Sequence, residues 1–302
     1  MTKKTQEYID LYNEFEAERK SAKTTVIVLT AVYFIIITVL LISICKDDSF
    51  SFFDLIFSRN RIWIFISPFA IGSGILIKTR RSLSRKYKSL IVYNTFEQIF
   101  DELHFKPDLG VSPNQLERCG LIAFGDDFKC DDYISGKYKG NYIEQCDVRT
   151  EKFCGRVMIF EFNKDFIFNL RISEKGFPLR KSNKSEYTEF NQSDKSSTES
   201  IAFNNEFDVY SKYDPEAFYL LTPQIMERLI VLKNKTEGRL LLSFSGSNLY
   251  VAVNNRQNAF EASIFGKLNI EKERNKVYND IKLITNFVDE LNLDEKIYKT
   301  YI

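Results

Sequence analysis

Histidine is almost missing from this 302-residue chain: His104 is the only one. Tryptophan also occurs once, and proline six times. With one histidine, an H-E-x-x-H metal helix is excluded. The five cysteines, Cys45, Cys119, Cys130, Cys146 and Cys154, form no C-x-x-C. Their spacing is too wide for the close ligand pairs of a structural zinc site. An odd, scattered set fits reduced, mostly buried thiols of a cytosolic domain better than a disulfide framework. An excess of one charge is lacking too. There are 42 basic residues against 41 acidic, a net charge of +1, which gives no general reason to expect nucleic acid as a partner. G-x-x-x-x-G-K-[ST], G-x-S-x-G and a dinucleotide-binding glycine pattern are absent as well. No cofactor is expected. The 27 phenylalanines reflect the habit of an AT-rich genome and carry little functional weight.

What the chain does have is long uncharged runs. Thr24 to Cys45 is 22 residues without a charge, dominated by Val, Ile, Leu and Thr. As a helix it reaches about 33 Å, enough to cross a hydrocarbon core. A cleaved signal peptide fits less well, because a charged segment precedes the run and no small-residue cleavage site follows it. Ile62 to Ile77 is a second uncharged run, of 16 residues. It covers only about 24 Å as a helix. Arg61 and Lys78 can snorkel from its ends and Trp63 suits the interface, so a second span is expected rather than a buried helix. Ala70 and Gly74 give this run a small-residue face.

Orientation follows from the flanks. Lys3, Lys4, Arg19, Lys20 and Lys23 precede the first run, and Lys78, Arg80, Arg81, Arg85, Lys86 and Lys88 follow the second. The connecting stretch holds three basic residues. The positive-inside rule then puts both termini in the cytoplasm. The expected organisation is a cytoplasmic N-terminal helix over 1–23, transmembrane helices over 24–45 and 62–77, an extracytoplasmic loop over 46–61, and a cytoplasmic domain over 78–302. The expected location is the bacterial cytoplasmic (inner) membrane.

The cytoplasmic part reads as α+β, a mixed domain with antiparallel hairpins behind a two-helix transmembrane hairpin. From Ser82 a helix continues with Val92, Phe96, Ile99 and Leu103 on one stripe, until Pro107, Gly110 and Pro113 stop it. Gly136 and Gly140 punctuate a hairpin around Asn141 to Val148, and Phe166, Phe168 and Leu170 alternate as a strand does. Arg180 to Ser200 is polar apart from Tyr187 and Phe190, and is expected to be a flexible surface insertion. Asp214-Pro215 and Thr222-Pro223 read as two helix starts, each a cap residue followed by Pro. The second of these helices carries Ile225, Met226, Leu229 and Ile230 on one face and stops near Gly238. Leu240 to Phe244 and Leu249 to Val253 flank Ser245-Gly246-Ser247-Asn248 as a further hairpin. Val277, Ile281, Ile284, Val288 and Leu291 form the core stripe of a final helix.

Four stretches of this domain are distinctive: Asp132-Tyr133-Ile134-Ser135-Gly136, Phe160-x-Phe162-Asn163, Phe207-x-Val209-Tyr210-Ser211 and Leu221-Thr222-Pro223-x-x-Met226-Glu227-Arg228-Leu229. They resemble a bacterial membrane-anchored family catalogued as domain of unknown function 3137. The resemblance runs from about Glu97 to Leu293, and the two spans ahead of it match the family's layout. Where the family often has Arg this chain has Phe218, so no role of that Arg carries over. The resemblance implies a membrane-anchored protein without an established activity, with a LemA-type membrane protein as a partner.

Chemistry-bearing clusters are few. Asp126, Asp127, Asp131 and Asp132 are the candidate oxygen ligands for a divalent cation, although they lack calcium-loop spacing and a solvated turn explains them as well. Glu227 and Arg228 form the candidate interaction surface, with a salt-bridged exposed edge as the plainer reading. Ser243, Ser245 and Ser247 would need His104 for a triad, which is not expected. The expected function is a membrane-anchored binding or scaffold module, touching the bilayer, a membrane protein partner or a second copy of itself. The alternative is a membrane-bound enzyme whose carboxylates are assembled only by the fold.

Overall fold

Helix α1 (Lys3–Cys45) runs for 43 residues, and neither glycine nor proline interrupts it. In the computed structural model, residues 3–45, 62–118, 120–122, 127–177, 190, 192–213, 215, 219–257, 260 and 269–291 are described. The hydroxyls of Thr24, Thr25, Thr30 and Thr38 each donate to the carbonyl four residues back, so polar side chains in an apolar stretch are satisfied within the helix. Ile27, Phe34, Ile35 and Val39 are exposed along it. Over Asp10–Val39 it is long and apolar enough to cross a membrane, and among the described residues it is the one helix that is. The second expected span falls in α2 (Ile62–Tyr87).

The chain divides into two compact units, Met1–Val92 with Glu261–Ile270, and Tyr93–Phe260 with Glu271–Ile302. In the first unit α1 and α2 meet at their charged flanks, beyond the uncharged runs. Phe15 and Tyr87 are fully buried with ring centroids 6.4 Å apart. Lys86 Nζ lies 2.5 Å from Glu14 Oε1 and 2.5 Å from Glu18 Oε1. Those two carboxylates, by hydrogen bonding, hold the Lys86 ammonium above its ordinary pKa.

The stripe that predicts one helix from Ser82 to Leu103 breaks early. A π-helical turn follows α2 over Lys88–Tyr93, and Leu103 sits on a strand, β1 (Asp101–Lys106). Pairing with β2 (Lys129–Tyr138) decides this, since strand register overrides a weak helical period. Between them, α3 (Pro113–Arg118) is a short helix. Strand β3 (Asn141–Arg149) returns from β2 through Lys139 and Gly140, both at positive φ, as a two-residue primed turn requires. The expected hairpin is present, with Gly136 inside β2 opposite Ile143.

Two long strands dominate the second unit. β4 (Cys154–Glu174) and β7 (Arg239–Asn254) pair antiparallel along most of their length. On its other edge β4 takes β3 along its first half and β6 (Phe207–Ser211) along its second. The two-residue β5 (Lys195–Ser196) borders β6 and completes a seven-stranded sheet. The Ser245–Asn248 stretch is therefore no hairpin tip. It lies within β7, with Asn248 opposite Glu161 and Gly246, at φ +56, opposite Phe166, and with register shifts on either side of Phe166. Such irregularities bend a strand without ending it. The bend brings the two ends of β7 together: a Cβ added at Gly238 would lie 2.8 Å from the Asn254 carbonyl oxygen and 2.9 Å from Asn255 Cα.

The core lies on both faces of this curled ribbon. On one face Val111, Leu116, Leu121 and Ile122, from the segment between β1 and β2, pack against Val148, Val157, Ile159, Leu241 and Ala252. On the other lies α6 (Ile270–Leu291), whose Val277, Ile281, Ile284, Val288 and Leu291 are all buried as their spacing requires. Its Phe287 ring sits 6.1 Å from Phe160. Thr222 caps α5 (Pro223–Lys235) by accepting from the Ile225 N–H, with Pro at the first position, and Ile225, Met226 and Leu229 are buried. Asp214 lies outside the described residues.

The segment Arg180 to Ser200 departs from expectation at its C-terminal end. Residues 180–189 and 191 lie outside the described residues, but Phe190 is buried with its ring 6.3 Å from Tyr210. Lys195–Ser196 join the sheet. Ser200 caps α4 (Ile201–Glu206) through the Phe203 N–H. One aromatic and a short ladder are enough to order a polar stretch against a finished sheet.

Candidate functional site

Among the described residues, the aspartates proposed as cation ligands form no ligand group. Asp126 lies outside the described residues, and Asp127 is exposed in the turn ahead of β2. Asp132 is buried at the β2 bulge with φ +58, a conformation Asp tolerates, and its N–H donates to the Pro107 carbonyl. Asp131 sits opposite Asp147 of β3. Among the described residues no group of three or more His, Cys, Asp or Glu is arranged to hold a metal. Glu227 is exposed on α5 and Arg228 half-buried, and no ion pair joins them among the described residues. His104 lies on β1, exposed, at a sheet position separated from β7 by β2, β3 and β4. Ser243 is fully buried on β7, so the two are not neighbours in a triad. Cys130 and Cys146 are free thiols with Sγ atoms 2.9 Å apart, and burial pushes the Cys146 thiol up.

Asp147 instead belongs to a buried ionic cluster. Arg156 of β4 is 4 % exposed. Its Nε donates to Asp147 Oδ1 at 3.4 Å, and its Nη1 to the Asp280 carbonyl at 3.3 Å. The Asp280 carboxylate stands 3.9 Å from Nη2. The guanidinium also lies 4.9 Å from the centre of the Phe260 ring. Burial raises the Asp280 carboxyl above the ordinary aspartate range, with Arg156 opposing the rise and Asp147 adding to it. The cluster ties α6 to the sheet. Its charges are used on one another.

An open cleft lies elsewhere, where the ends of the curled ribbon meet. It has a volume of about 420 Å³ and is lined by Leu121, Ile122, Lys152, Phe153, Phe177, Gly238, Arg239, Asn254, Asn255 and Arg256. Leu121, Ile122 and Phe153 are buried and form an apolar floor; Lys152, Arg239 and Arg256 are exposed around it. No carboxylate lines the cleft among the described residues.

Local hydrogen bonds fix the backbone that carries each cation. In the turn between β3 and β4, the Thr150 hydroxyl accepts from the Phe153 N–H at 3.1 Å, while the Thr150 N–H donates to the Phe153 carbonyl. That fixes Lys152 beside Phe153. Asn254 clamps the same turn, its Oδ1 accepting from the Cys154 N–H and its Nδ2 donating to the Lys152 carbonyl, both at 3.4 Å. Arg256 sits at φ +58 with its N–H on the Cys154 carbonyl at 2.8 Å, while the Asn255 side chain accepts from the Gln257 N–H. Arg239 Nη1 donates to the Gly176 carbonyl at 2.6 Å, where the chain turns after β4. Arg171 Nη1 reaches the Gly120 carbonyl at 3.2 Å and so steadies the segment that supplies Leu121 and Ile122.

None of these lining residues stood out in the sequence as a site. Lys152, Arg239 and Arg256 belong to different turns, and no short motif links them. The available signal was indirect: each stands at the end of a strand, and strand ends converge only if β4 and β7 are bent and closed on each other. Gly238, read from sequence as a helix stop, is the residue that allows that closure.

Residues 151–293 match the family model described as Protein of unknown function (DUF3137). The match covers β4 to α6, including every cleft residue except Leu121 and Ile122, and leaves the Asp132–Gly136 motif outside. None of the curated proteins compared matches the chain. Among solved structures the chain is similar to the crystal structure of the mycobacterial trehalose monomycolate transport factor A, TtfA. That alignment has 15% sequence identity and a TM-score of 0.43, and covers 71% of this chain and 97% of that one.

Proposed function

We propose that this chain, whose residues 151–293 match the DUF3137 family, is a membrane-anchored binding module with two transmembrane helices and a cytoplasmic domain. The cleft carries the reading. It is pre-formed, its volume lies within the roughly 300–1,000 Å³ of small-molecule sites, and it combines an apolar floor with a few fixed polar groups. Its lining offers cations, which bind and orient. The alternative, an enzyme built on assembled carboxylates, would draw on Asp147 and Asp280, but both are engaged with Arg156 and neither lines the cleft.

The two-helix anchor draws support from the Lys86 contacts to Glu14 and Glu18, which hold the charged flanks of both uncharged runs together. With basic residues enriched on those flanks, the inner face of a bacterial cytoplasmic membrane is the side assigned to them. A membrane protein of the LemA type, or a second copy of the chain, is the expected macromolecular partner.

Native mass spectrometry of the full chain, released from its own membrane, tests the binding reading. The wild type should carry a small-molecule adduct that the double variant Lys152→Glu/Arg256→Glu loses. An adduct retained by that variant would place binding elsewhere, and one converted chemically on the protein would favour the enzyme.

A further inference from the structure

We infer that the cleft at the closure of the β4–β7 ribbon takes an anionic amphiphile: a phosphate or carboxylate group carried on an apolar chain. This rests on reading the cleft as a binding site, and names the ligand's chemistry. Three observations point the same way. The first is sign: Lys152, Arg239 and Arg256 surround the opening, and no carboxylate lines it among the described residues. Cations of one sign around one opening favour an anionic group there, and charge-assisted bonds to phosphate or carboxylate are the strong kind. The second is the floor, where Leu121, Ile122 and Phe153 offer only apolar surface. A bare anion leaves that surface unused, whereas a hydrocarbon chain covers it.

The third concerns what is already committed. Both ends of the Asn254 amide are bonded to the β3–β4 turn, and the Asn255 oxygen is bonded to the Gln257 N–H. Base edges are read by side chains that offer free donors and acceptors, and in this cleft the whole Asn254 amide and the Asn255 oxygen are already bonded to the protein's own backbone. Nucleotides therefore fit it worse than a simple charged head with a tail. The head meets the cations at the rim and the tail lies along the floor.

The test uses the full chain in phosphatidylcholine nanodiscs and three soluble probes: octyl phosphate, inorganic phosphate and octanol, with adenosine monophosphate as competitor. Octyl phosphate should bind about tenfold or more tightly than either half-ligand, because each half leaves one part of the cleft unfilled. Lys152→Gln and Arg256→Gln should each weaken octyl phosphate by about tenfold, with unchanged melting temperatures. Arg239 also holds the Gly176 carbonyl, so its substitution would mix binding with folding. Replacing part of the phosphatidylcholine with phosphatidylglycerol separates two sources of the same chemistry. Loss of octyl phosphate binding there marks a bilayer lipid, and undiminished binding marks a free amphiphile. Equal affinity for inorganic phosphate, for octanol or for adenosine monophosphate overturns the amphiphile. If no probe binds while the native adduct is still lost in Lys152→Glu/Arg256→Glu, the ligand class is wrong and the binding reading stands. If the adduct is missing as well, both fall.

Discussion

Gly238 shows how one residue sets the geometry of the whole ribbon. Its φ of +116 lies outside what L side chains adopt comfortably. A Cβ there would also press on backbone, on the Asn254 carbonyl oxygen and the Asn255 Cα, both nearer than 3 Å. Backbone cannot swing aside as the tip of a side chain can, so the cost is strain plus displacement of a strand end. Gly246 makes a useful contrast. It too has positive φ, +56, but nothing lies within 4 Å of an added Cβ. Gly246→Ala should cost about 1 kcal/mol, the left-handed penalty alone, whereas Gly238→Ala should cost about 3 kcal/mol or more, since clash adds to strain. Thermal unfolding of the full chain in nanodiscs, followed by circular dichroism, checks the order. Equal losses would show that the two ends of β7 are not held against each other. In the sequence Gly238 reads equally well as the stop of α5. The second demand on it comes from residues far along the chain, which local pattern cannot report.

At the scale of elements, what was legible depended on how local the cause is. Helix α6 follows its apolar spacing and α5 follows Thr222-Pro223, because a cap and a stripe are written within one turn or two. The β2–β3 hairpin is legible for the same reason, through Gly140. The misreadings have distant causes. Leu103 completes a helical stripe on paper yet lies on β1, and Ser245–Asn248 carries turn residues yet bends β7 without ending it. In both places a partner strand supplies hydrogen bonds that outweigh the local preference. The Phe190 region is the same effect on a smaller scale. Its polarity predicts a segment free of the core, but the aromatic is 7 % exposed and rests against Tyr210. Phe190→Ala should therefore destabilise the domain by about 3 kcal/mol, at the lower end for a buried Phe because the site is near the sheet margin. Thr222→Ala, removing one cap bond, should cost only about 1 kcal/mol. A Phe190 variant that melts with the wild type would restore the insertion as a mere surface loop.

For the molecule as a whole, the decisive quantity is how many times the chain crosses the bilayer. Helix α1 has the length and apolar surface for one crossing. Its polar start packs on the polar end of α2 through Phe15–Tyr87 and the Lys86 ion pairs. If both uncharged runs cross, those flanks lie on one side, and the basic excess assigns that side to the cytoplasm. If α1 alone crosses from the same starting side, everything after Cys45 lies outside. The two arrangements differ in what an impermeant maleimide can reach in intact cells. Single cysteines at Ser51 and Ser193, compared with the unmodified chain as background, separate them. Two crossings expose Ser51 and protect Ser193, while a single crossing exposes both. Protection of both would remove the N-terminal helix from the membrane or reverse it. Labelling at Ser51 alone is the expected result. It would also put the cleft in the cytoplasm, where an anionic amphiphile could come from the inner leaflet or from solution.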